Sequence, residues 1–490
     1  VIEDFFAALD SGESVGYGSY DIDVAVGRLP FLTAEEFGNY IQKAKEYEKP
    51  GVMDYSDWRS TLLLAADDAL NSGRVDNSRH SIYQENIANL IDSLSAKKQQ
   101  RWSIKKVYLL EYPEDAAGQK KEASDNLINI MNQGTLFTTY FGHGSKTDWA
   151  SEGLLKPRYI SRLNNEGRYT ILGSFSCTVA RFDEGTTRSL SEEFLFASKA
   201  GSIASIGATR ETFANSNHQL AKSFLVQALT NEGITLGDAF FKAKGAVSSV
   251  YSSDRYNNEK YVLIGEPVIK MPDASLRVKL DQKLDTLKAL DKMKLSGSVS
   301  GLQDGFINLV LSEGRTQKRM SLQVDEDSLD VTYDGTLIYS EEVPVKNGRF
   351  EVDFVTPRKI SIGDTAAEFR AWAHSTKSPA VGRLWKSDLV VSGVSAYADS
   401  LKDTIPPKIQ IQTCFNGGLA TEFAYAQEVK LQSPACLQVV VSDSTALDFR
   451  EQADEGVTFE VDGVLNPYHP WPYLEQTSKR AVVRMNFTSE

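Results

Sequence analysis

Residues 138–145 read Thr-Thr-Tyr-Phe-Gly-His-Gly-Ser, an apolar run that ends in a histidine between two glycines. The next such run, residues 169–177, reads Tyr-Thr-Ile-Leu-Gly-Ser-Phe-Ser-Cys and ends in a cysteine. The strands predicted from them, residues 135–141 and 169–176, are too continuously apolar for a sheet with one solvated face, so we expect parallel strands buried on both sides. The carboxyl ends of adjacent parallel strands meet at one edge of a sheet, so we expect His143 and Cys177 to be neighbours.

Similar apolar runs alternate with helical patterns through residues 1–275, which is typical of an α/β domain. Two helices are predicted, at residues 33–47 and 81–94, and a capping box of Thr33 and Glu36 opens the first. The other predicted strands lie at residues 23–26, 61–66, 107–112, 202–207 and 261–264.

Beyond residue 276 the pattern changes to alternating strands without a long amphipathic helix, which predicts an immunoglobulin-like β-sandwich. The predicted strands there are residues 292–299, 306–311, 349–355 and 367–373, and two prolines at 406 and 407 mark a further break. We therefore divide the chain into four parts: residues 1–48, the end of a first α/β subdomain; 49–275, the catalytic subdomain; 276–402, the β-sandwich; and 403–490, a second β-rich domain whose completeness the sequence leaves open.

The composition excludes several classes of protein. The 490 residues are 41% apolar, which is enough for a packed core, and the net charge of −13 argues against a nucleic acid or an anionic membrane held by electrostatics. No apolar run reaches the roughly 18 residues that span a bilayer. The first four residues lack the features of a signal peptide, so any export signal is expected to have been removed or to lie outside this sequence.

A thiol and an imidazole at one sheet edge suit nucleophilic catalysis, in which a thiolate attacks a carbonyl and the imidazole moves the proton. Neither residue alone is specific, because a buried cysteine is more often a small inert hydrophobe and a histidine at a strand end is often structural. The combination of His143 and Cys177 on consecutive strands favours the catalytic interpretation. The glycines beside His143 would let a substrate approach the backbone.

Five motifs lie across the first 275 residues: residues 4–10 (DFFAALD), 23–30 (DVAVGRLP), 142–145 (GHGS) with Trp149, Cys177 and 264–267 (IGEP). Together they resemble the gingipain-like cysteine peptidases, a family with a caspase-like fold. The resemblance implies a parallel sheet flanked by helices and a thioester acyl-enzyme formed on Cys177.

Residues 285–290 (DTLKAL) and 403–409 (DTIPPKI) extend the likeness more loosely to the PorU group of signal peptidases, or sortases, of the type IX secretion system. This resemblance implies an enzyme at the cell surface, on the extracellular face of the outer membrane. Its partners would be secreted cargo proteins with C-terminal signal domains, a lipopolysaccharide amine as acceptor, and other secretion components of that membrane. Two alternatives remain open: a secreted gingipain-like endopeptidase, and a catalytically silent scaffold that binds partners through its β-modules.

By the family resemblance Cys177 is the nucleophile and His143 its partner, with the backbone N–H groups of Gly144 and Cys177 as the oxyanion hole. An acidic residue at an earlier strand end orients the histidine in this family, and Asp67 and Asp68 match that place. Asp68 fits the spacing slightly better. The alternative is that this pair of aspartates only caps the following turn.

Four residues are candidate substrate contacts by the same resemblance: His80, Trp149, Thr212 and Phe213. His80 stands where arginine-specific members place a pocket carboxylate, so a preference for basic P1 residues is not expected. His80 could instead be an exposed loop residue, and Trp149 could pack in the core rather than line the cleft.

Two further expectations concern cofactors and cross-links. Cys414 and Cys436 are predicted to form a disulfide, since they lie near β segments of a protein whose resemblance implies an oxidising location. No cofactor is required by thiol chemistry. The usual zinc motifs are missing from the sequence, so no zinc site is expected. The carboxylate-rich loops at residues 21–23 and 254–259 could hold structural calcium, although plain solvated charge is the commoner role of such loops.

Overall fold

The computed structural model divides into two compact units. One comprises Val1–Leu276 with Lys318–Val331 and His374–Gly382, and the other comprises Arg277–Gln317, Thr332–Ala373 and Arg383–Glu490. The structure describes residues 3–10, 21–48, 57–68, 70–71, 74–75, 79–98, 100–185, 187–248, 252–272, 274–322, 327–358, 360–361, 366–375, 377–378, 380–397, 406–413, 422–423, 435–443, 460–461, 464–465, 473–476 and 480–487.

Up to Leu276, the described residues of the first unit form seven α-helices and eight strands. The helices are α1 Ala34–Glu48, α2 His80–Lys98, α3 Lys121–Gln133, α4 Leu190–Phe196, α5 Ala214–Thr230, α6 Leu236–Ser248 and α7 Ser252–Asn258. The strands are β1 Thr61–Ala66, β2 Leu70–Asn71, β3 Arg74–Val75, β4 Ser103–Tyr108, β5 Phe137–Phe141, β6 Thr170–Phe175, β7 Ser202–Ala208 and β8 Tyr261–Gly265. Short 3-10 turns lie at Glu3–Phe6, Asp57–Ser60, Leu109–Glu111 and Pro157–Arg162.

A six-stranded sheet in the order β4-β1-β5-β6-β7-β8 forms the centre of this unit. Its first five strands are parallel, as the continuously apolar runs predict. Every residue of β1, β5, β6, β7 and β8 is buried, whereas the edge strand β4 has one exposed residue, Lys105, between two partly buried ones. The α/β organisation expected for this part of the chain is confirmed.

The register of the central strands sets the level of their carboxyl ends. Ala66 pairs with Phe141, and Phe141 pairs with Phe175, as the last partners of β1, β5 and β6. The next residue on β5 is Gly142, and the one after it is His143. Counting the same two steps along β6 reaches Cys177, so the histidine and the cysteine leave the sheet at the same level.

Three predicted strands differ from the structure. Residues 23–26 form no strand, and only Arg28 makes an isolated bridge, to Ile264. The strand predicted at 107–112 runs instead over Ser103–Tyr108, because an edge strand can alternate polar and apolar residues and need not be continuously apolar. The last strand, β8, pairs antiparallel with β7, an arrangement common for the edge strand of a mixed sheet.

The predicted start of α1 is confirmed in detail. The Thr33 hydroxyl accepts a hydrogen bond from the Glu36 backbone N–H at 3.1 Å, and the Glu36 carboxylate accepts from the Thr33 backbone N–H at 3.2 Å. These two reciprocal bonds satisfy N–H groups that the helix itself leaves without acceptors.

The second unit is built of strands, and among its described residues no helix appears. Its strands are β9 Arg277–Leu280, β10 Thr286–Ala289, β11 Lys292–Ser300, β12 Gly305–Ser312, β13 Thr316–Ser321, β14 Ser328–Tyr333, β15 Leu337–Val345, β16 Arg349–Val355, β17 Ala367–Ser375, β18 Val381–Val394, β19 Lys408–Thr413, β20 Glu422–Phe423, β21 Ala435–Ser442, β22 Glu460–Val461, β23 Val464–Leu465, β24 Tyr473–Gln476 and β25 Arg480–Phe487, of which β13, β14, β17 and β18 include residues of the first unit.

These strands form several antiparallel or mixed sheets. The larger ones have the orders β10-β18-β17-β12-β15, β16-β11-β9 and β20-β19-β21-β25-β24. Strands were correctly predicted at the four sites beyond residue 276, whereas the immunoglobulin-like sandwich stays a prediction. In the described part of the chain, no helix combines the length and the apolar character needed to cross a membrane.

A buried lysine ties α1 to α4 and to the turn before β7. Lys43 is 1% exposed, and its Nζ donates to the carbonyl oxygens of Phe194, Leu195 and Ala200 at 3.1, 2.9 and 2.7 Å. These carbonyls lie at the end of α4 and in the turn that leads into β7. One ammonium group therefore satisfies three buried acceptors at once.

We expect Lys43→Met to lower the free energy of unfolding by about 2 kcal/mol or more, because a similar volume is kept while three buried carbonyls lose their donor. Lys45→Met, at an exposed position of the same helix, is the matched control and is expected to change little. Chemical denaturation followed by circular dichroism measures both. Equal stability of the two variants would contradict the anchoring role of Lys43.

Candidate active site

The histidine at the end of β5 is held between two close backbone contacts. A Cβ atom on Gly142 would stand 2.6 Å from the Asp67 Cβ, and one on Gly144 would stand 2.6 Å from the Ser176 Oγ. The Gly144 position would also be 2.9 Å from the Cys177 carbonyl oxygen. Both glycines are therefore required by packing, and the turn that carries His143 lies directly against the segment that carries the cysteine.

Asp67 is the carboxylate that contacts this turn. One of its oxygens accepts a hydrogen bond from the His143 backbone N–H at 2.9 Å, and the Tyr140 hydroxyl lies 3.1 Å from the same oxygen. Tyr140 is fully buried, and its hydroxyl is also 2.8 Å from the His143 carbonyl oxygen. Burial raises the pKa of Asp67 well above its ordinary value, although the His143 N–H opposes that shift. Asp67 thus fixes the backbone that presents the histidine.

Asp68 points to a different partner. Its carboxylate accepts from Lys120 Nζ at 2.6 Å and from the Leu70 backbone N–H at 2.7 Å. Lys120 also donates to the Leu109 carbonyl oxygen at 2.8 Å, and both charged residues are buried. The prediction that Asp68, rather than Asp67, lies beside the histidine is therefore wrong. A buried ammonium holds Asp68 away, and Asp67 takes the place.

His80 is brought to the same point by the start of α2. It is 5% exposed, so the exposed-loop alternative is wrong. Its ring lies 5.1 Å from the His143 ring, centroid to centroid, in an edge-on arrangement at 85°. The next residue, Ser81, donates its hydroxyl to the Asp67 carbonyl oxygen at 2.7 Å, and this bond fixes the first turn of the helix over the strand end.

Cys177 is half-buried and is the free cysteine among the described residues. Its sulfur accepts a hydrogen bond from the Thr212 backbone N–H at 3.3 Å and lies 3.6 Å from the Thr212 carbonyl oxygen. The Thr212 hydroxyl is 4.0 Å from the sulfur and accepts from Asn217 at 3.0 Å. The loop after β7 therefore lies beside the thiol.

Phe213 follows on the same loop and is 71% exposed. Its backbone N–H donates to the Asn257 side chain at 2.9 Å, which holds the main chain while the ring faces solvent. Lys260 Nζ lies 5.4 Å from the centre of the ring and donates to the Glu211 carbonyl oxygen at 2.8 Å. Phe213 therefore presents an apolar ring next to the Cys177 segment.

Trp149 lies in the core. It is fully buried, its indole N–H donates to the Ser174 hydroxyl at 3.0 Å, and its ring stacks on Tyr140 with centroids 4.6 Å apart. Of the two interpretations of Trp149, the structure selects core packing. The residue supports Tyr140 from behind and so acts on the His143 turn indirectly.

Two structural features near Cys177 could not be predicted from the sequence. Thr178, the residue after the cysteine, adopts a left-handed backbone with φ +55°, an uncommon conformation for a β-branched residue. Arg210 pairs with Asp183 through contacts of 3.0 and 2.5 Å, and its hydrogen bonds lower the pKa of Asp183 to about 2. This pair joins the loop after Cys177 to the loop after β7. Tertiary contacts, rather than a local motif, create both features.

Groups of potential metal ligands occur twice among the described residues. Asp67, His80 and His143 offer ligand atoms within 4.8 Å of one another, and so do three carboxylates, Asp68, Glu114 and Glu152. Neither group lies in the loops at residues 21–23 and 254–259, for which the sequence left structural calcium open. The proposed disulfide falls outside the described residues, since Cys414 and the side chain of Cys436 are not among them.

A cysteine and a histidine at adjacent strand ends, with a carboxylate fixing the histidine turn, are groups of the kind that cysteine peptidases use. Residues 1–272 match the model of peptidase family C25. The chain belongs to this family, the gingipain family of cysteine peptidases.

Similar proteins include Lys-gingipain from Porphyromonas gingivalis, 24% identical over 167 residues, and Lys-gingipain W83 from the same species, 27% identical over 168 residues. Each alignment covers 34% of this chain and 8% of the relative, so the chain matches a small part of those proteins. Among solved structures, the Arg-specific cysteine proteinase gingipain R aligns with a TM-score of 0.45 at 16% identity, covering 80% of this chain and 79% of that one. Dimeric latent PorU from P. gingivalis aligns with a TM-score of 0.28 at 19% identity, covering 60% and 29%.

We expect Gly144→Ala to reduce kcat/KM for peptide cleavage by at least about a hundredfold, because the added methyl group would push the His143 turn away from Ser176 and Cys177. Gly185→Ala is the control, since a Cβ atom at Gly185 meets nothing within 4 Å. Activity assays and thermal melts of both variants test this. Full activity in Gly144→Ala would show that the close approach does not matter.

Proposed function

We propose that this chain is a cysteine peptidase in which Cys177 is the nucleophile and His143 the proton-transfer partner. The observation that carries the proposal is the shared level of the two residues at the ends of β5 and β6, with the Gly144 turn packed against the Cys177 segment. Membership of peptidase family C25 supports it.

In the first step the Cys177 thiolate attacks the scissile carbonyl and forms a C–S bond. The carbonyl oxygen takes the negative charge, and the N–H groups of Gly144 and Cys177 are the proposed donors to it. As the intermediate collapses, the C–N bond breaks and His143 gives its proton to the departing amine. The product is a thioester between Cys177 and the acyl part of the substrate.

The surrounding side chains have distinct roles in this proposal. Asp67 positions His143 through the backbone N–H and is not itself proposed to exchange protons with substrate. Thr212, whose main chain contacts the sulfur, and Phe213, whose ring is exposed, are the proposed substrate contacts. No cofactor takes part. His80 stands where the arginine-specific members of the family carry a carboxylate. Peptides with arginine or lysine at P1 are therefore expected to be poor substrates.

We further propose that the thioester is transferred to an amine, as in a sortase. The acceptor amine attacks the thioester carbonyl, the C–S bond breaks, an amide forms and the thiol is released. By the PorU resemblance of residues 285–290 and 403–409, the substrate is a secreted protein with a C-terminal signal domain and the acceptor is a lipopolysaccharide amine at the cell surface. A secreted endopeptidase, with water as acceptor, is the second candidate.

We expect Cys177→Ala to abolish cleavage of a cargo C-terminal domain and to leave the melting temperature nearly unchanged, because only a small group at a strand end is removed. Mass spectrometry of the wild-type reaction with and without an amine distinguishes the acceptors, since conjugated and hydrolysed products differ by the mass of the acceptor less one water. An active Cys177→Ala protein would rule out the nucleophile. An active wild type that yields only hydrolysed product would favour the endopeptidase.

His143→Ala is expected to lower kcat by at least about a hundredfold, the usual scale for the loss of a general acid or base. His218→Ala is the control, because this half-buried histidine stacks on Tyr83 and lies outside the proposed dyad. Steady-state kinetics on one peptide measure both. If His143→Ala kept its activity, the proton donor would be another group, and His80 would be the first to test.

A further inference from the structure

Three side chains of the site form a ligand set that no single motif encodes. A carboxylate oxygen of Asp67, an imidazole nitrogen of His80 and an imidazole nitrogen of His143 lie within 4.8 Å of one another. They come from the end of β1, the first residue of α2 and the end of β5. Two imidazoles and one carboxylate, with a fourth position open, are a ligand set that zinc adopts in proteins.

The ligand atoms are near the spacing that a metal ion needs. Zinc bonds to nitrogen and oxygen are about 2.0–2.2 Å long, so tetrahedral ligand atoms stand roughly 3.4 Å apart. Here the two histidine rings are edge-on at 5.1 Å, and the three ligand atoms lie within 4.8 Å of one another, so they must move closer to share one ion. Asp67 and His80 are almost fully buried, whereas His143 is half-buried and leaves one side open to solvent.

Neighbouring residues hold Asp67, His80 and His143 in position by hydrogen bonds, as is common around metal sites. The Asp67 carboxylate is oriented by the Tyr140 hydroxyl and by the His143 N–H, and the Ser81 hydroxyl holds the first turn of α2 to the Asp67 carbonyl. Hydrogen bonds of this kind fix ligand orientation and strengthen metal binding. The second group of acidic residues differs, because the Lys120 ammonium already lies 2.6 Å from the Asp68 carboxylate.

We propose that Asp67, His80 and His143 bind Zn²⁺, and that the bound ion inhibits the enzyme by withdrawing the His143 imidazole from proton transfer. A nitrogen lone pair donated to zinc is not available to accept or return a proton. The inhibitory part rests on the proposed peptidase function, whereas the binding part does not. Zinc is therefore a reversible inhibitor here and not a cofactor.

Metal binding is tested without catalysis in the Cys177→Ala protein, which removes the thiolate as an alternative ligand. Titration with Co²⁺, a spectroscopic substitute for zinc, is expected to give the visible absorption of a four-coordinate site, and Zn²⁺ is expected to displace it. Adding His80→Gln should weaken Co²⁺ binding at least about tenfold, whereas adding His218→Gln should not. Absence of the absorption, or its persistence with His80→Gln, would overturn the proposal.

Inhibition is tested in the protein with Cys177 intact. Zn²⁺ should inhibit peptide cleavage reversibly, a chelator should restore it, and the inhibition constant should rise at least about tenfold in His80→Gln, each variant being compared with its own rate without metal. Equal sensitivity of wild type and His80→Gln would overturn the inhibitory role. If the Cys177→Ala protein binds Co²⁺ through His80 but the wild type cleaves no peptide, the proposed function fails and the metal site stands. If the wild type is active but no metal binds, only the metal site fails.

Discussion

The pairing register of β1, β5 and β6 is the constraint on which the site depends. Side chains alternate faces along a strand, so a slip of one residue would exchange the buried set for the opposite face. Because all three strands are buried on both sides, such a slip would misplace packing above and below the sheet together. The register is therefore fixed by the whole core, and the level of His143 and Cys177 is fixed with it.

A second layer of contacts turns this alignment into a defined site. Gln84 on α2 is fully buried, and its amide donates to the Ala65 and Thr139 carbonyl oxygens at 3.0 and 3.1 Å, so the helix is tied to β1 and β5. Tyr140, supported by Trp149, links Asp67 to the histidine turn. The polar groups inside this part of the core are thus used to fix backbone positions next to the reactive residues.

Features set by a local sequence pattern could be predicted, whereas features set by contacts with distant residues could not. Continuous apolar runs followed by glycine, histidine or cysteine identified β5, β6 and the two candidate reactive side chains. The choice between Asp67 and Asp68 could not be made that way, since it depends on Lys120, which is 52 residues away in the chain. The burial of His80 likewise depends on where α2 docks. Antiparallel pairing of β8 was missed because an apolar run carries no information about strand direction.

The residues of the candidate site come from widely separated parts of the chain, from Asp67 beside the His143 turn to Thr212 beside the thiol, and the loop that bears Thr212 is the last of them to be synthesised. The ribosome makes the chain from the amino end. His143 and Cys177 are therefore synthesised before β7 and the loop that follows it. Long-range pairing of this kind forms late, because the intervening chain must first be ordered. The edge that carries Cys177 is consequently complete only after the chain has been made as far as residue 213 and β7 has joined β6.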